Sequence, residues 1–137
     1  MPGADAWRLR LHTLEALVWL MLARLLVAVV PLPRWQQHFG LGGAARPGAV
    51  AAAHRCARHV DRAALRLPLE CKCLPRAMAL SRMLRRRRVP HRLTIAVRPL
   101  AERAGRDGLH AWIEVGGETV IGDLPGPWIP LLALPPA

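Results

Sequence analysis

The chain has 137 residues, of which 53% are hydrophobic and only 4% aromatic. This length can bury one core but leaves little room for two, so we expect residues 1–137 to form a single domain. Twenty lysines and arginines against nine acidic residues give a formal net charge of +11. That charge favours an acidic partner without choosing among nucleic acid, an anionic membrane and an acidic peptide.

The first predicted element is an apolar helix over residues 14–30. Because it is apolar almost all round, we expect it to be buried on most sides. Glu15 and Arg24 interrupt the run, which argues against a cleaved signal peptide. Arg24 would also cost about 2.5–3.5 kcal/mol at the centre of a membrane span. A central packing helix, or one in contact with a membrane surface, is therefore favoured over a span, and Pro31 and Pro33 end it.

Two further helices are predicted before the strands. The alanine-rich segment AVAAAHRCARHVDRAALRLP places its apolar residues at three- and four-residue steps, which is typical of an amphipathic helix, and Pro68 stops it. The segment between the first two helices, residues 34–49, is predicted to be a loop around a short helical piece. The last helix is predicted from Leu74 to about Arg88, since a proline favours the first turn of a helix.

Strand patterns fill the rest of the chain. Apolar residues alternate along RLTIAVR, and HAWIEV and ETVI flank Gly116-Gly117, which predicts a strand followed by a β-hairpin. A polar loop ending at residues 105–108 separates them. We expect the proline-rich tail to wrap over the core as an extended segment anchored by Trp128. The predicted fold class is therefore α+β, with helices followed by a small antiparallel sheet.

Counting outward from the glycine pair of the hairpin places His110 opposite Asp123. Directly opposed side chains have Cβ atoms about 4.5–5.5 Å apart, so the carboxylate could orient the imidazole. The same count places Trp112 beside Ile121. These two residues are the candidate substrate pocket.

Cys73 is the candidate nucleophile because it precedes a helix that begins with a proline. Unpaired N–H groups and the dipole at a helix start stabilise a thiolate, and a thiolate beside a histidine is what covalent acyl transfer requires. The backbone N–H groups of Cys73 and Leu74 are the candidate oxyanion donors. Each residue of the proposed triad also has an inert interpretation, as a buried thiol, a packed histidine or a turn aspartate. The order of the cysteine, the histidine and the aspartate along the chain favours the catalytic interpretation over the inert ones.

The segments CLPRAMALSRMLRRRRVPHRLTIAVR and HAWIEVGGETVIGD resemble the transglutaminase-like cysteine peptidase of lasso-peptide biosynthesis, the free-standing leader peptidase. The helix ending in LARLLVAVVPLP and the alanine-rich helix also fit. The resemblance implies a transglutaminase/papain-like core, with a helical portion at 14–67 and a catalytic portion at 70–123. It maps the catalytic triad onto Cys73, His110 and Asp123, and we expect no metal and no cofactor.

The resemblance also implies a reaction and its partners. The family removes the leader from a ribosomally made precursor peptide, and an ATP-dependent lasso cyclase then closes the ring on the new N-terminus. The residues before Cys73 leave no room for a fused recognition domain, so we expect a separate leader-recognition protein. The odd number of cysteines, with Cys71 too close to Cys73 for an ordinary disulfide, indicates a reducing cytoplasmic setting. Contact of the first helix with a membrane surface is compatible with its composition.

Three alternatives stay open. A non-catalytic basic module for nucleic acid or an acidic partner is suggested by nine positive and no acidic residues between Cys71 and Arg98. Aromatic stacking platforms are missing among them, which argues against single-stranded nucleic acid, and the favoured interpretation has no nucleic-acid partner. A thioester could also pass to an amine instead of water. A metal site is the weakest alternative, since the spacing does not suit its candidate ligands, His54, Cys56, His59, Cys71 and Cys73.

Overall fold

The computed structural model describes residues 3–68, 71–99 and 108–135. Most of the polar loop predicted to end at residues 105–108 lies outside this part of the chain. Within it the helices are α1 (Ala4–Val29), α2 (Leu32–Trp35), α3 (Ala49–Arg66) and α4 (Cys73–Arg86), and a 3-10 turn, Gln36–His38, follows α2. The strands are β1 (Arg92–Val97), β2 (Leu109–Val115), β3 (Glu118–Ile121) and β4 (Ile129–Leu134). They form one antiparallel sheet in the order β3-β2-β1-β4, which confirms the predicted α+β class.

Helix α1 begins ten residues before its predicted start. It packs against α3 and α4 through residues that recur at three- and four-residue steps and are almost fully buried, namely Thr13, Ala16, Leu20 and Ala23. The opposite side of α1 exposes large apolar residues such as Val18 and Leu25. The prediction that this helix is buried on most sides is therefore wrong, because α3 and α4 cover only one face of it.

Helices α3 and α4 lie close to their predicted positions. The small residues of α3 form its buried face, which lets the helices approach closely. Helix α4 begins at Cys73, one residue before the predicted start, and it ends two residues before Arg88. The short helical piece expected after α1 is present as α2 and the 3-10 turn.

The β2–β3 hairpin turns at the predicted glycine pair, but its register shifts after two residue pairs. Ile113 pairs with Ile121 instead of Val120, so Val120 is an extra residue on β3. Such a β-bulge moves every later residue of the strand by one position. The predicted pairs of Ile113 with Val120 and of Trp112 with Ile121 are therefore wrong, and β3 ends at Ile121, so the expected strand pairing of His110 with Asp123 is not formed.

The tail was predicted to be an extended segment, and part of it forms a regular strand. Strand β4 pairs with β1 at the edge of the sheet, with Ile95 opposite Leu132 and Ala96 opposite Pro130. The register shift between these pairs leaves one residue unpaired. Proline is tolerated at such an edge position because no neighbouring strand needs its missing N–H.

A buried chain of hydrogen bonds ties the loop before α3 to α4 and β1. The Gly40 N–H donates to Ser81 Oγ over 2.9 Å, and the Ser81 hydroxyl donates to His91 Nε2 over 2.7 Å. His91 Nδ1–H donates to the Val89 carbonyl oxygen over 2.8 Å. Burial lowers the pKa of His91, which keeps the imidazole neutral and suits it to accept one bond and donate the other. This serine–histidine pair is therefore structural.

Glu15 of α1 is nearly enclosed and binds two arginines from the end of α4. Its carboxylate oxygens lie 2.7 Å from Arg86 Nη1 and 2.8 Å from Arg87 Nη2. Burial acts to raise the pKa of Glu15, but hydrogen bonds and charge from Arg87 and Arg86 outweigh it and hold the pKa below its usual value. These ion pairs fix α1 on α4. They also engage two of the four arginines in the run at 85–88.

The substitution Glu15→Gln is expected to lower the free energy of unfolding by about 1–3 kcal/mol at neutral pH, because it weakens charge-assisted hydrogen bonds. The matched control is Asp61→Asn. Asp61 pairs with Arg76 over 3.3 Å in a more exposed place, so its loss should be about 0–1 kcal/mol. Folding lowers the pKa of Glu15 below its ordinary value of 4.5. The contribution of Glu15 to the free energy of unfolding is therefore fully present above pH 4.5, and it is lost as the pH falls through the lowered pKa of the folded state. Urea denaturation of both variants at several pH values measures this, and equal losses for both would contradict it.

Candidate functional site

Cys73 is the first residue of α4, as the predicted nucleophile position requires. Lys72 precedes it with an extended backbone, and the Arg76 N–H makes a backbone hydrogen bond to the Lys72 carbonyl oxygen. The N–H groups of Cys73 and Leu74 belong to the helical turn whose donors have no partner within the helix. Proline as the next residue brings no further donor. Two N–H groups and the positive end of the helix dipole thus lie at this thiol.

The start of α4 packs against the start of β2. The Cys73 sulfur lies 4.0 Å from the carbonyl oxygen of Leu109, and the next residue of β2 is His110. The structure therefore brings the candidate nucleophile to the strand that carries the candidate base. Among the described residues no hydrogen bond joins Cys73 directly to His110.

His110 is buried and held by a backbone carbonyl. Its Nε2 lies 2.5 Å from the carbonyl oxygen of Gly122. A carbonyl oxygen only accepts, so Nε2 carries the hydrogen, and Nδ1 of the neutral ring is the nitrogen that can take a proton. This is the state that a general base requires.

Gly122 can approach β2 closely because it has no side chain. Its φ is +81°, and a Cβ here would overlap the carbonyl oxygen of Ala111 and lie 3.0 Å from the Trp112 Cα. Only glycine tolerates both the left-handed backbone and the contact. The bulge at Val120 and this glycine together place the Gly122 carbonyl on His110.

Asp123 is exposed and lines a cavity of about 490 Å³ that Cys73 also lines. Ile121, one of the two predicted pocket residues, borders the same cavity. Its cross-strand partner is Ile113, so the predicted proximity of Ile121 to Trp112 across the hairpin is wrong because of the bulge. The catalytic role of Asp123 stays a prediction. The polar residues that complete the wall are His54, Asp61, Arg76 and Thr119.

The stacking of Trp128 on His110 was not predicted from the sequence. The Trp128 ring stacks on His110 with 4.8 Å between ring centroids, and the Arg98 guanidinium lies 4.4 Å from the centroid of Trp128. The Trp128 indole N–H donates to the Leu124 carbonyl oxygen over 2.9 Å, which fixes the ring. The available signal was the short, proline-rich connection between Asp123 and this tryptophan, which cannot carry the ring far from the site.

The residues considered for a metal site serve other contacts. His54 Nε2 lies 3.3 Å from Glu118 Oε1, and His59 Nδ1 lies 3.1 Å from Thr13 Oγ1. Cys56 is buried, and burial raises the pKa of its thiol, which disfavours the thiolate that a metal would need. Within the described part of the chain, no group of three or more His, Cys, Asp or Glu residues is placed to hold a metal ion.

The fold agrees with the comparison to known families. A family model of the Transglutaminase-like superfamily matches residues 16–128, and the chain therefore belongs to that superfamily. The superfamily includes cysteine peptidases. The matched range contains Cys73, His110 and Asp123. No curated protein and no solved structure matches the chain.

The substitution Gly122→Ala is expected to lower the free energy of unfolding by about 1–3 kcal/mol more than Gly117→Ala, because only the former adds an overpacked contact. Gly117 is a matched control, since its φ is +80° and nothing lies within 4 Å of an added Cβ. Both variants therefore share the strain of a left-handed alanine. Chemical denaturation gives the two values, and equal losses would show that the contact of Gly122 with β2 is not tight.

Proposed function

We propose that this protein is a cysteine peptidase that removes the leader from a ribosomally synthesised precursor peptide during lasso-peptide maturation, with Cys73, His110 and Asp123 as its triad. The observation that carries the proposal is the position of Cys73. It is the first residue of α4, where the first-turn N–H groups have no partner within the helix, and its sulfur lies 4.0 Å from the carbonyl oxygen of Leu109, the strand residue before His110. The chemistry of that arrangement is acyl transfer.

In the first step the Cys73 thiol transfers its proton to His110 Nδ1, and the sulfur attacks the carbonyl carbon of the scissile peptide bond. A carbon–sulfur bond forms, and the carbonyl oxygen becomes an oxyanion. The N–H groups of Cys73 and Leu74 donate to this oxyanion. Donors fixed by a helix start need little reorganisation as the charge develops.

In the second step the carbon–nitrogen bond breaks, and His110 gives its proton to the departing amine of the core peptide. The leader stays bound to Cys73 as a thioester. Water, deprotonated by His110, then attacks the thioester carbonyl, which releases the leader acid and restores the thiol. No other reactant is needed, since the electrons and protons balance with water alone.

The Gly122 carbonyl and Asp123 act on the other side of the imidazole. The carbonyl fixes the tautomer through Nε2, and the neighbouring Asp123 carboxylate stabilises the imidazolium that forms during each step. The Trp128 ring covers one face of His110 and limits the access of water to it. Asp123 is exposed, so its effect should be smaller than that of either Cys73 or His110.

The partners follow from the resemblance to lasso-peptide leader peptidases. A separate leader-recognition protein would present the precursor, an ATP-dependent lasso cyclase would use the released core peptide, and the setting would be cytoplasmic. The internal contacts of the arginine run favour this over nucleic-acid binding. Arg85 donates to the Gly40 carbonyl oxygen, and Arg86 and Arg87 bind Glu15.

The substitutions Cys73→Ala and His110→Ala are each expected to abolish leader cleavage, a loss of about a thousandfold or more, because each removes an essential step of covalent catalysis. Mass spectrometry of a precursor peptide incubated with the protein and its recognition partner measures the products. Cys71→Ala and His54→Ala are matched controls, since both residues line the same cavity and have no assigned step. Cleavage retained by Cys73→Ala would overturn the mechanism.

The substitution Asp123→Ala is expected to slow cleavage by about tenfold to a hundredfold, because the imidazolium loses a nearby charge but keeps the Gly122 carbonyl. The comparison is Asp61→Ala, which removes another carboxylate from the same cavity wall. Single-turnover rates separate the chemical step from precursor binding. Equal rates for the two variants would remove Asp123 from the triad.

A further inference from the structure

The outward face of α1 carries a continuous row of exposed apolar side chains, which we call the outer stripe. Its members are spaced alternately four and three residues apart, so they share one side of the helix. Between 44% and 60% of each residue is exposed. The outer stripe is formed by Trp7, Leu11, Leu14, Val18, Met21 and Leu25.

The outer stripe faces away from the domain core. The buried residues of α1 lie on the opposite side of the helix, where they pack against α3 and α4. A helix of 26 residues is about 39 Å long, so the stripe runs along much of one side of a small protein. Contiguous apolar surface of this extent marks an interaction site.

The stripe continues into an apolar groove at the C-terminal end of α1. The groove has a volume of about 520 Å³, and Leu25 belongs to both features. Two tryptophans, Trp19 and Trp35, line it together with Arg34 and Arg82. The Arg82 guanidinium lies 5.0 Å from the centroid of the Trp19 ring and donates to the His38 carbonyl oxygen over 2.9 Å, so this cation is fixed in place.

The charges around the stripe are mainly positive. Arg8 and Arg10 lie in its first turns, and Arg34 and Arg82 lie at the groove. The carboxylate in the body of the helix, Glu15, is neutralised by the two arginines of α4. With a net charge of +11 for the chain, this face suits a partner that is apolar in its interior and negative at its surface.

We propose that α1 docks flat on a bilayer of anionic phospholipid, with the outer stripe and the groove in the acyl-chain boundary and the arginines on headgroup phosphates. Tryptophan and arginine are the residues that suit such an interface, and apolar area and positive charge act together in binding it. A second copy of the chain would bring the same positive border and repel. A span is disfavoured because α1 would have to leave α3 and α4, although it has the length and apolar composition to cross a membrane.

Vesicle co-sedimentation tests the membrane proposal without measuring peptide cleavage. The membrane proposal can therefore fail while the peptidase proposal stands, and the peptidase proposal can fail while the membrane proposal stands. The protein should bind phosphatidylglycerol-rich vesicles and bind pure phosphatidylcholine vesicles less. Raising the salt concentration from about 0.05 to 0.5 M should weaken binding to the phosphatidylglycerol-rich vesicles, because salt screens the attraction between arginines and phosphates. Leu25→Glu should weaken vesicle binding by about tenfold or more. It removes apolar area that the bilayer would bury, and it adds a negative charge that the anionic headgroups repel.

Leu65→Glu is the matched control, since Leu65 is 83% exposed on α3 and the change is identical. It should bind vesicles as the unchanged protein does. Thermal unfolding of both variants checks folding, and Val18→Glu replaces Leu25→Glu if the latter unfolds. Equal binding by Leu25→Glu and Leu65→Glu would overturn the proposal. The proposal would also be overturned if the unchanged protein did not bind vesicles and Leu25→Glu instead dissociated a dimer. The same holds if Leu25→Glu instead dissociated a complex with the recognition protein.

Discussion

The site depends on the contact between the start of α4 and the start of β2. Cys73 opens the helix, and its sulfur rests on the carbonyl of the strand residue that precedes His110. This contact places the Cys73 thiol beside the strand that carries His110. The helix core behind this contact is among the most buried parts of the protein, with Ala77, Met78 and Leu80 fully enclosed. The candidate nucleophile is therefore partly exposed at the end of a well-buried helix, which favours a fixed geometry.

The hairpin supplies the second half of the site through an irregularity in its register. The bulge at Val120 shifts β3 by one position, and Gly122 then presses its backbone against β2. A backbone carbonyl holds the histidine in this arrangement, and such a partner has no pKa in the working range. The tautomer of His110 is thus fixed by the chain path itself. Asp123 lies exposed at the edge of the cavity, where its proposed role is to act through its charge.

Much of this fold was predictable from local patterns. The period of the apolar residues located α3, α4 and the hairpin, because each pattern matches an element with one buried face. The extension of α1 to Ala4 was missed because the apolar residues of its first turns, Trp7, Leu9 and Leu11, alternate with polar residues, which hides the helical period. Strand β4 was missed because proline normally argues against a strand, and only its place at the sheet edge makes Pro130 acceptable.

The candidate site was less predictable than the fold. Cys73 and His110 could be selected from their sequence context, and the structure brings their elements together. The hydrogen-bond partner of His110, the Gly122 carbonyl, could not be predicted. It depends on the β-bulge, which is set by how the strand fits its neighbours and leaves no local signature in the sequence. Trp128 was also placed by tertiary packing, which returns the tail to the sheet.

Intact-mass analysis of the protein, quenched during turnover of a precursor peptide, tests the central claim most directly. The account predicts an adduct with the mass of the leader less one water, located on the tryptic peptide that contains Cys73 and absent from His110→Ala. Leader release with no adduct on any cysteine, or with an adduct on Cys71 instead, would contradict it.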